Sequence, residues 1–132
     1  MIVDSSAVIA IVTGEVGFES LVEALAAADS ARLSAATLVE VHAVTYRHGR
    51  ADMVRRIERL LAEFDVEIVP FDAEQARLAN DAYRDYGRGS GHAASLNLGD
   101  CFSYALALSR DEPLLFVGDD FTHTDIRRAL PT

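Results

Sequence analysis

Lysine is missing from the sequence, and all twelve basic residues are arginine. That absence excludes Schiff-base catalysis, a Walker-type phosphate lysine and the lysine on which phosphoaspartate-forming enzymes depend. Cysteine occurs once, at Cys101, so no intrachain disulfide can form and a reducing compartment suits the chain. No run approaches the ~18–20 uninterrupted apolar residues of a membrane span. The start Met1-Ile2-Val3-Asp4 has no basic flank and meets an acid at once, unlike a signal peptide. A soluble cytoplasmic protein without a membrane partner is the expectation.

What is present is acid: 21 Asp and Glu give a net charge of −9 over 132 residues, half of them hydrophobic. The length suits one domain, 1–132, able to remove roughly two thirds of its unfolded surface from water. The acidity argues against a sequence-independent binder that grips phosphates through a basic face.

Short apolar runs alternate with helical periodicities, which predicts βα units around a parallel sheet. Strands are expected at Ile2-Val3, around Leu33, at Val66–Val69 and at Leu114–Val117. Helices are expected over Ala7–Val12 with Ser5 or Ser6 as N-cap, Val16–Ala28, Ala36–His48, Met53–Phe64, from Asp72 through Tyr83, and from Gly99-Asp100 through Ser109. Met53, Ile57, Leu60, Leu61 and Phe64 make the clearest amphipathic face. The glycines at 87, 89 and 91 mark a loop. Four parallel strands, or at most five, with helices on both faces follow.

In such a sheet ligands collect beyond the carboxyl ends of the strands. Asp4 ends the first strand, Asp119 and Asp120 follow the last, and Asp100 opens a helix whose N-terminus favours negative charge. Glu40 lies in the apolar stretch Thr37-Leu38-Val39-Glu40-Val41 and is expected to need an arginine or a cation as partner. If these acids converge, pairs at ~4 Å repel by roughly 4 kcal/mol each at an effective dielectric of 20. Shared protons or hard cations must then offset the repulsion. An all-oxygen set selects Mg²⁺ or Mn²⁺ over Zn²⁺.

At these residues the sequence resembles the PIN-domain ribonucleases, and more narrowly the VapC-type toxins of toxin–antitoxin pairs. The resemblance rests on Ile2–Ala7, Leu38–Val41, Leu96–Ala107, and Pro113–Phe121 with Thr124–Ile126, in the family's order and spacing. It implies an α/β three-layer sandwich and Mg²⁺- or Mn²⁺-dependent hydrolysis of RNA. It also implies homodimerisation and inhibition by a cognate antitoxin. Asp4, Glu40 and Asp100 match three family acids. For the fourth, Asp120 precedes Phe121 as in the family's Asp-Phe pair, while Asp119 occupies a neighbouring place often held by Asn or Glu. Asp4, Asp100 and Asp120 are the implied metal ligands, and Glu40 the residue that holds a metal-bound water. Ser6 and Asn97 match polar positions that hold the acids or the substrate.

Other residues carry two readings each. Arg47, Arg50, Arg55, Arg56 and Arg59 form the one dense basic cluster, an RNA or antitoxin contact through Arg55 and Arg59 or a solvated face paired with Glu58 and Glu63. His123 is a substrate-phosphate contact or a surface histidine. Cys101 is a low-pKa thiol at a helix start or a small buried residue. Tyr83, Tyr86 and Tyr104 are base-stacking platforms or core. The competing function is a catalytically silent PIN-like module that binds RNA or protein.

Overall fold

The computed structural model describes residues 1–131. Its centre is a four-stranded parallel sheet of β1 (Ile2–Val3), β2 (Arg32–Ser34), β3 (Glu67–Val69) and β4 (Leu114–Leu115), in the order β3-β2-β1-β4. Six helices connect them: α1 (Ser5–Thr13), α2 (Phe18–Ala27), α3 (Ala35–Arg47), α4 (Ala51–Glu63), α5 (Ala73–Tyr86) and α6 (Leu98–Arg110). The chain steps outward from β1 to β2 to β3 and then returns to the other side of β1 as β4. Right-handed crossovers in opposite directions place α1–α4 on one face and α5–α6 on the other.

Alternation along two-residue strands is enough to feed both layers. Ile2, Leu114 and Val69 join the core under α5 and α6, while Val3, Leu115 and Leu33 join the core under α1–α4. Ile2, Leu33, Leu114 and Leu115 are completely enclosed, each contributing about 1.5–3 kcal/mol of transfer free energy. Met53, Ile57 and Leu60 are the buried stripe of α4, as the periodicity predicts. Ala79 and Ala82 of α5 and Ala105 of α6 let those two helices approach closely.

Several boundaries differ from the sequence expectation. The N-cap of α1 is Asp4 itself, whose side chain accepts from Ser6 N, so the helix begins at Ser5. Helix α2 starts at Phe18, because Gly17 is left-handed at φ 89° and Val16 stands in solvent. Strand β4 ends at Leu115 because the Val117 N–H donates to the Ser6 hydroxyl at 3.1 Å and not to a neighbouring strand. Helix α6 begins at Leu98 with Asn97 as its N-cap, one residue before the expected start, and Asp100 is the acid of its first turn as expected. The glycine loop is closed at its base by Arg88 N to Leu96 O and Leu96 N to Tyr86 O, both 2.9 Å. No helix among the described residues is long and apolar enough to cross a membrane.

Candidate active site

Strands β1, β2 and β4 end on one edge of the sheet, and the order reverses at β1, which makes that edge the topological switch point. Asp4 stands at the tip of the central strand and is only 2% exposed. Its carboxylate is held from two sides. Ser6 donates to Oδ2 from its backbone N–H at 3.0 Å and from its hydroxyl at 2.6 Å, and Ser103 of α6 donates to Oδ1 at 2.6 Å. The Ser6 hydroxyl also receives the Val117 N–H, so one side chain ties the central acid to the loop that carries Asp119 and Asp120.

Asp100 is fixed by a reciprocal capping box. Its backbone N–H donates to Asn97 Oδ1 and its Oδ2 accepts the Asn97 N–H, both at 2.9 Å. Asn97 therefore acts first on Asp100, in line with the expectation that it holds an acid. Burial pushes the Asp100 carboxyl up to about 7, the Asn97 N–H opposes this, and the charges of Asp4, Asp120 and Glu40 add to the rise. All three charges acting on Asp100 are negative. Asp120 is thus the member of the adjacent pair whose field reaches the buried acid. Asp119 and Asp120 are both exposed in the turn after Gly118.

Glu40 projects from α3 toward the start of α6. A methyl group on Gly99 would lie 1.4 Å from Glu40 Oε2, so the carboxylate fills the space that glycine leaves open beside Asp100. Burial is the main cause that raises the Glu40 carboxyl above its ordinary value, a hydrogen bond from Ser5 lowers it, and the Asp4 charge raises it further. The expected arginine partner is absent from these influences. The apolar setting is also one-sided: Val41 is fully buried, whereas Val39 is 70% exposed on the outer side of the helix.

Among the described residues no three His, Cys, Asp or Glu side chains are placed closely enough to hold a metal ion between them. The carboxylates share an electrostatic field without sharing a coordination point. Their donors are all hard oxygens, a set suited to a cation that keeps water in its shell.

The arginines read as an RNA or antitoxin contact or as a solvated face lie on α3 and α4 and between them. Arg59 lines a hollow with Ile11, Val12, Arg56, Leu60 and Glu63, beside the last turn of α1, whereas Asp4 caps its first. At 1.5 Å per residue the two ends are roughly 10 Å apart. Arg55 is exposed on the same helix. Arg50 and Arg56 pair with Asp52, not with Glu58 or Glu63. His123 is exposed in the turn after Asp120. Cys101 is fully buried and its thiol is pushed up to about 11, by burial first and by the Asp100 charge second, which removes the reactive-thiol reading. Tyr104 is core and donates to Asp125 at 2.7 Å, Tyr86 packs beside it, and Tyr83 is 41% exposed.

Two residues beside the acids carry no sequence signal of their role. Ser103 and Thr37 sit within apolar helical stretches, and only the fold brings Ser103 to Asp4 and Thr37 to 3.3 Å from Ser103. Both lie three residues from an acid on the same helix, Thr37 from Glu40 and Ser103 from Asp100, a spacing that shares a helix face.

Comparison with known proteins identifies the family. The PIN domain family model matches residues 1–127. Ribonuclease VapC42 of Mycobacterium tuberculosis is 56% identical over 129 residues, with 98% of each chain covered. Ribonuclease VapC28 of the same species is 49% identical over 130 residues, again with 98% of each covered. Among solved structures, Mycobacterium tuberculosis VapC20, described as a sarcin-ricin loop cleaving toxin, aligns at a TM-score of 0.69 and 18% identity over 96% of this chain and 98% of that one. A toxin-antitoxin complex from Klebsiella pneumoniae aligns at a TM-score of 0.67 and 17% identity over 94% and 92%. At such identities these two likenesses speak for the fold alone. With a family model spanning nearly its whole length and relatives this similar from end to end, the chain belongs to the PIN-domain family and, within it, to the VapC group.

Proposed function

We propose that the protein is a metal-dependent endoribonuclease, the toxin of a toxin–antitoxin pair, acting at the cluster of Asp4, Glu40, Asp100 and Asp120. The observation that carries this reading is the Asp100 carboxyl, lifted to about 7 by burial together with three other acids and with no cation among its influences. A site so rich in one sign of charge is a liability to the fold unless something positive binds there. The relatives named ribonuclease VapC supply the substrate class.

Asp4, Asp100 and Asp120 would hold Mg²⁺ or Mn²⁺. When bound, the ion supplies charge neutralisation for the scissile phosphate and a water made more acidic. Asp4 contributes a carboxylate oriented by Ser6 and Ser103 before any ligand arrives. Asp100 contributes its Oδ1, since its Oδ2 is engaged by the Asn97 N–H. Glu40, whose carboxyl is raised and so takes up a proton more readily, receives the proton of the attacking water at Oε1 or Oε2. Asp119 and His123 border the site from the exposed turn and contact substrate. A cognate antitoxin that covers the acids, and a second copy of the chain forming a homodimer, complete the reading; the toxin-antitoxin complex among the fold neighbours supports the first.

The test is incubation of purified protein with total RNA, with Mg²⁺, without it and with EDTA, followed by end mapping. Discrete new ends that require Mg²⁺ and disappear in Asp4→Asn and Asp120→Asn, with Asp119→Asn keeping most of the activity, are expected. RNA left intact by the wild-type protein in Mg²⁺ and in Mn²⁺ would overturn the reading in favour of a silent binding module.

A further inference from the structure

We propose that Ser103 and Thr37 are positioning residues that fix where Asp4 stands relative to Glu40 and Asp100, and that they set the affinity of the acid cluster for a divalent cation. The proposal rests on the reading above that these acids hold such an ion. Its direct observation is a buried chain of hydroxyls, Thr37 Oγ1 to Ser103 Oγ at 3.3 Å and Ser103 Oγ to Asp4 Oδ1 at 2.6 Å.

The direction of the chain follows from proton counting. A serine hydroxyl has one proton to give, and Ser103 gives it to the Asp4 carboxylate at the shorter contact. Thr37 must therefore donate to Ser103. Thr37 is 0% and Ser103 1% exposed, so water does not compete for either bond. A bond to an ionised acceptor is the stronger kind, and a donor behind it polarises it further.

Each member of the chain sits on a different acid-bearing element. Asp4 caps α1 at the tip of β1, Thr37 belongs to α3 with Glu40 three residues on, and Ser103 belongs to α6 with Asp100 three residues back. Two hydrogen bonds thus join the three elements whose spacing defines the cluster. Asp4 also has little acceptor capacity to spare. Of the roughly four lone-pair positions on a carboxylate, three are taken by Ser6 N, Ser6 Oγ and Ser103 Oγ. The remaining position is on Oδ1, the oxygen that Ser103 grips, so Ser103 decides which way it faces. Partners behind a metal ligand commonly change metal affinity by about 10- to 100-fold when removed.

The experiment is titration of the purified full chain with Mn²⁺, read by calorimetry and by the loss of the free-ion electron paramagnetic resonance signal. Wild type is compared with Ser103→Ala, Thr37→Val and Thr37→Ser, with melting temperature measured in parallel. Ser103→Ala is expected to raise the Mn²⁺ Kd about tenfold, and Thr37→Val to raise it by a smaller factor. Thr37→Ser, which keeps the hydroxyl and gives up the methyl, is expected to bind as wild type does. A purely packing role would give the reverse order for the two Thr37 variants and would move melting temperature alone. Wild-type Mn²⁺ affinity in both Ser103→Ala and Thr37→Val overturns the proposal whatever their melting temperatures, while leaving the nuclease reading in place. A wild-type protein that binds no Mn²⁺ overturns both.

Discussion

Glu40 occupies the space that a side chain on residue 99 would need: a Cβ on Gly99 would meet Glu40 Oε2 at 1.4 Å and its Cδ at 2.4 Å. Two acid-bearing helices therefore meet at a residue without a side chain, and the glycine is a component of the site.

Gly99→Ala should separate stability from activity. The atoms displaced are the far end of a flexible side chain, and alanine inside a helix is favoured over glycine by roughly 0.5–1 kcal/mol. The expected outcome is a melting temperature equal to or above that of wild type, with RNA cleavage reduced at least tenfold because Glu40 is pushed off its position. A variant as active as wild type would show that Glu40 does not need this placement.

Asp100 predicts how stability depends on pH. Its folded carboxyl titrates near 7 against an ordinary value of 3.8, so between those values the folded state binds more protons than the unfolded one. Stability therefore falls as pH rises from about 4 to about 7, and the full cost is present above that. Asp100→Asn should remove the slope and stabilise the metal-free protein at pH 8 by on the order of 2 kcal/mol, after solvent screening is allowed for. Chemical denaturation at pH 5 and pH 8 in EDTA measures this. Added Mg²⁺ should recover the same stability in wild type and not in the variant.

Arg59 lies beside Ile11 and Val12 at the end of α1 away from Asp4, and Arg55 is exposed on the same helix. Replacing both by alanine is expected to leave kcat on a short RNA unchanged and to alter KM less than threefold. A large loss of kcat would mean that the RNA path turns around α1, contrary to this placement.

Much of this architecture is legible in the residues because each layer of it repeats a simple pattern. The four apolar runs become the four strands, the Met53–Leu60 stripe becomes the buried face of α4, and the acids fall where strands stop. What the pattern leaves out is contact across elements. Ser103 reads as one polar residue in an apolar helix, since nothing in Cys101–Ala107 announces that Asp4, ninety-nine positions earlier, is its acceptor. The partner of Glu40 escapes for a similar reason, because charge balance points to an arginine whereas the donor is the neutral hydroxyl of Ser5, the first residue of α1. Strand ends are illegible at Val117, where apolar character continues although its N–H turns to Ser6. Which of Asp119 and Asp120 acts on the Asp100 carboxyl also needs the fold, in which the Asp120 charge is the one that raises it.

Strand β4 is the last of the sheet to be synthesised, yet it lies directly against the first, with Ile2 opposite Leu114 and Val3 opposite Leu115. The two ends of the chain must meet before Asp120 can stand beside Asp100. A growing polypeptide on the ribosome thus carries Asp4 and Glu40 for most of its synthesis, gains Asp100 only in the last quarter, and receives Asp120 twenty residues later still. On the ribonuclease reading proposed above, the cluster could not be complete until the last strand has paired with the first, when translation of the message is nearly over.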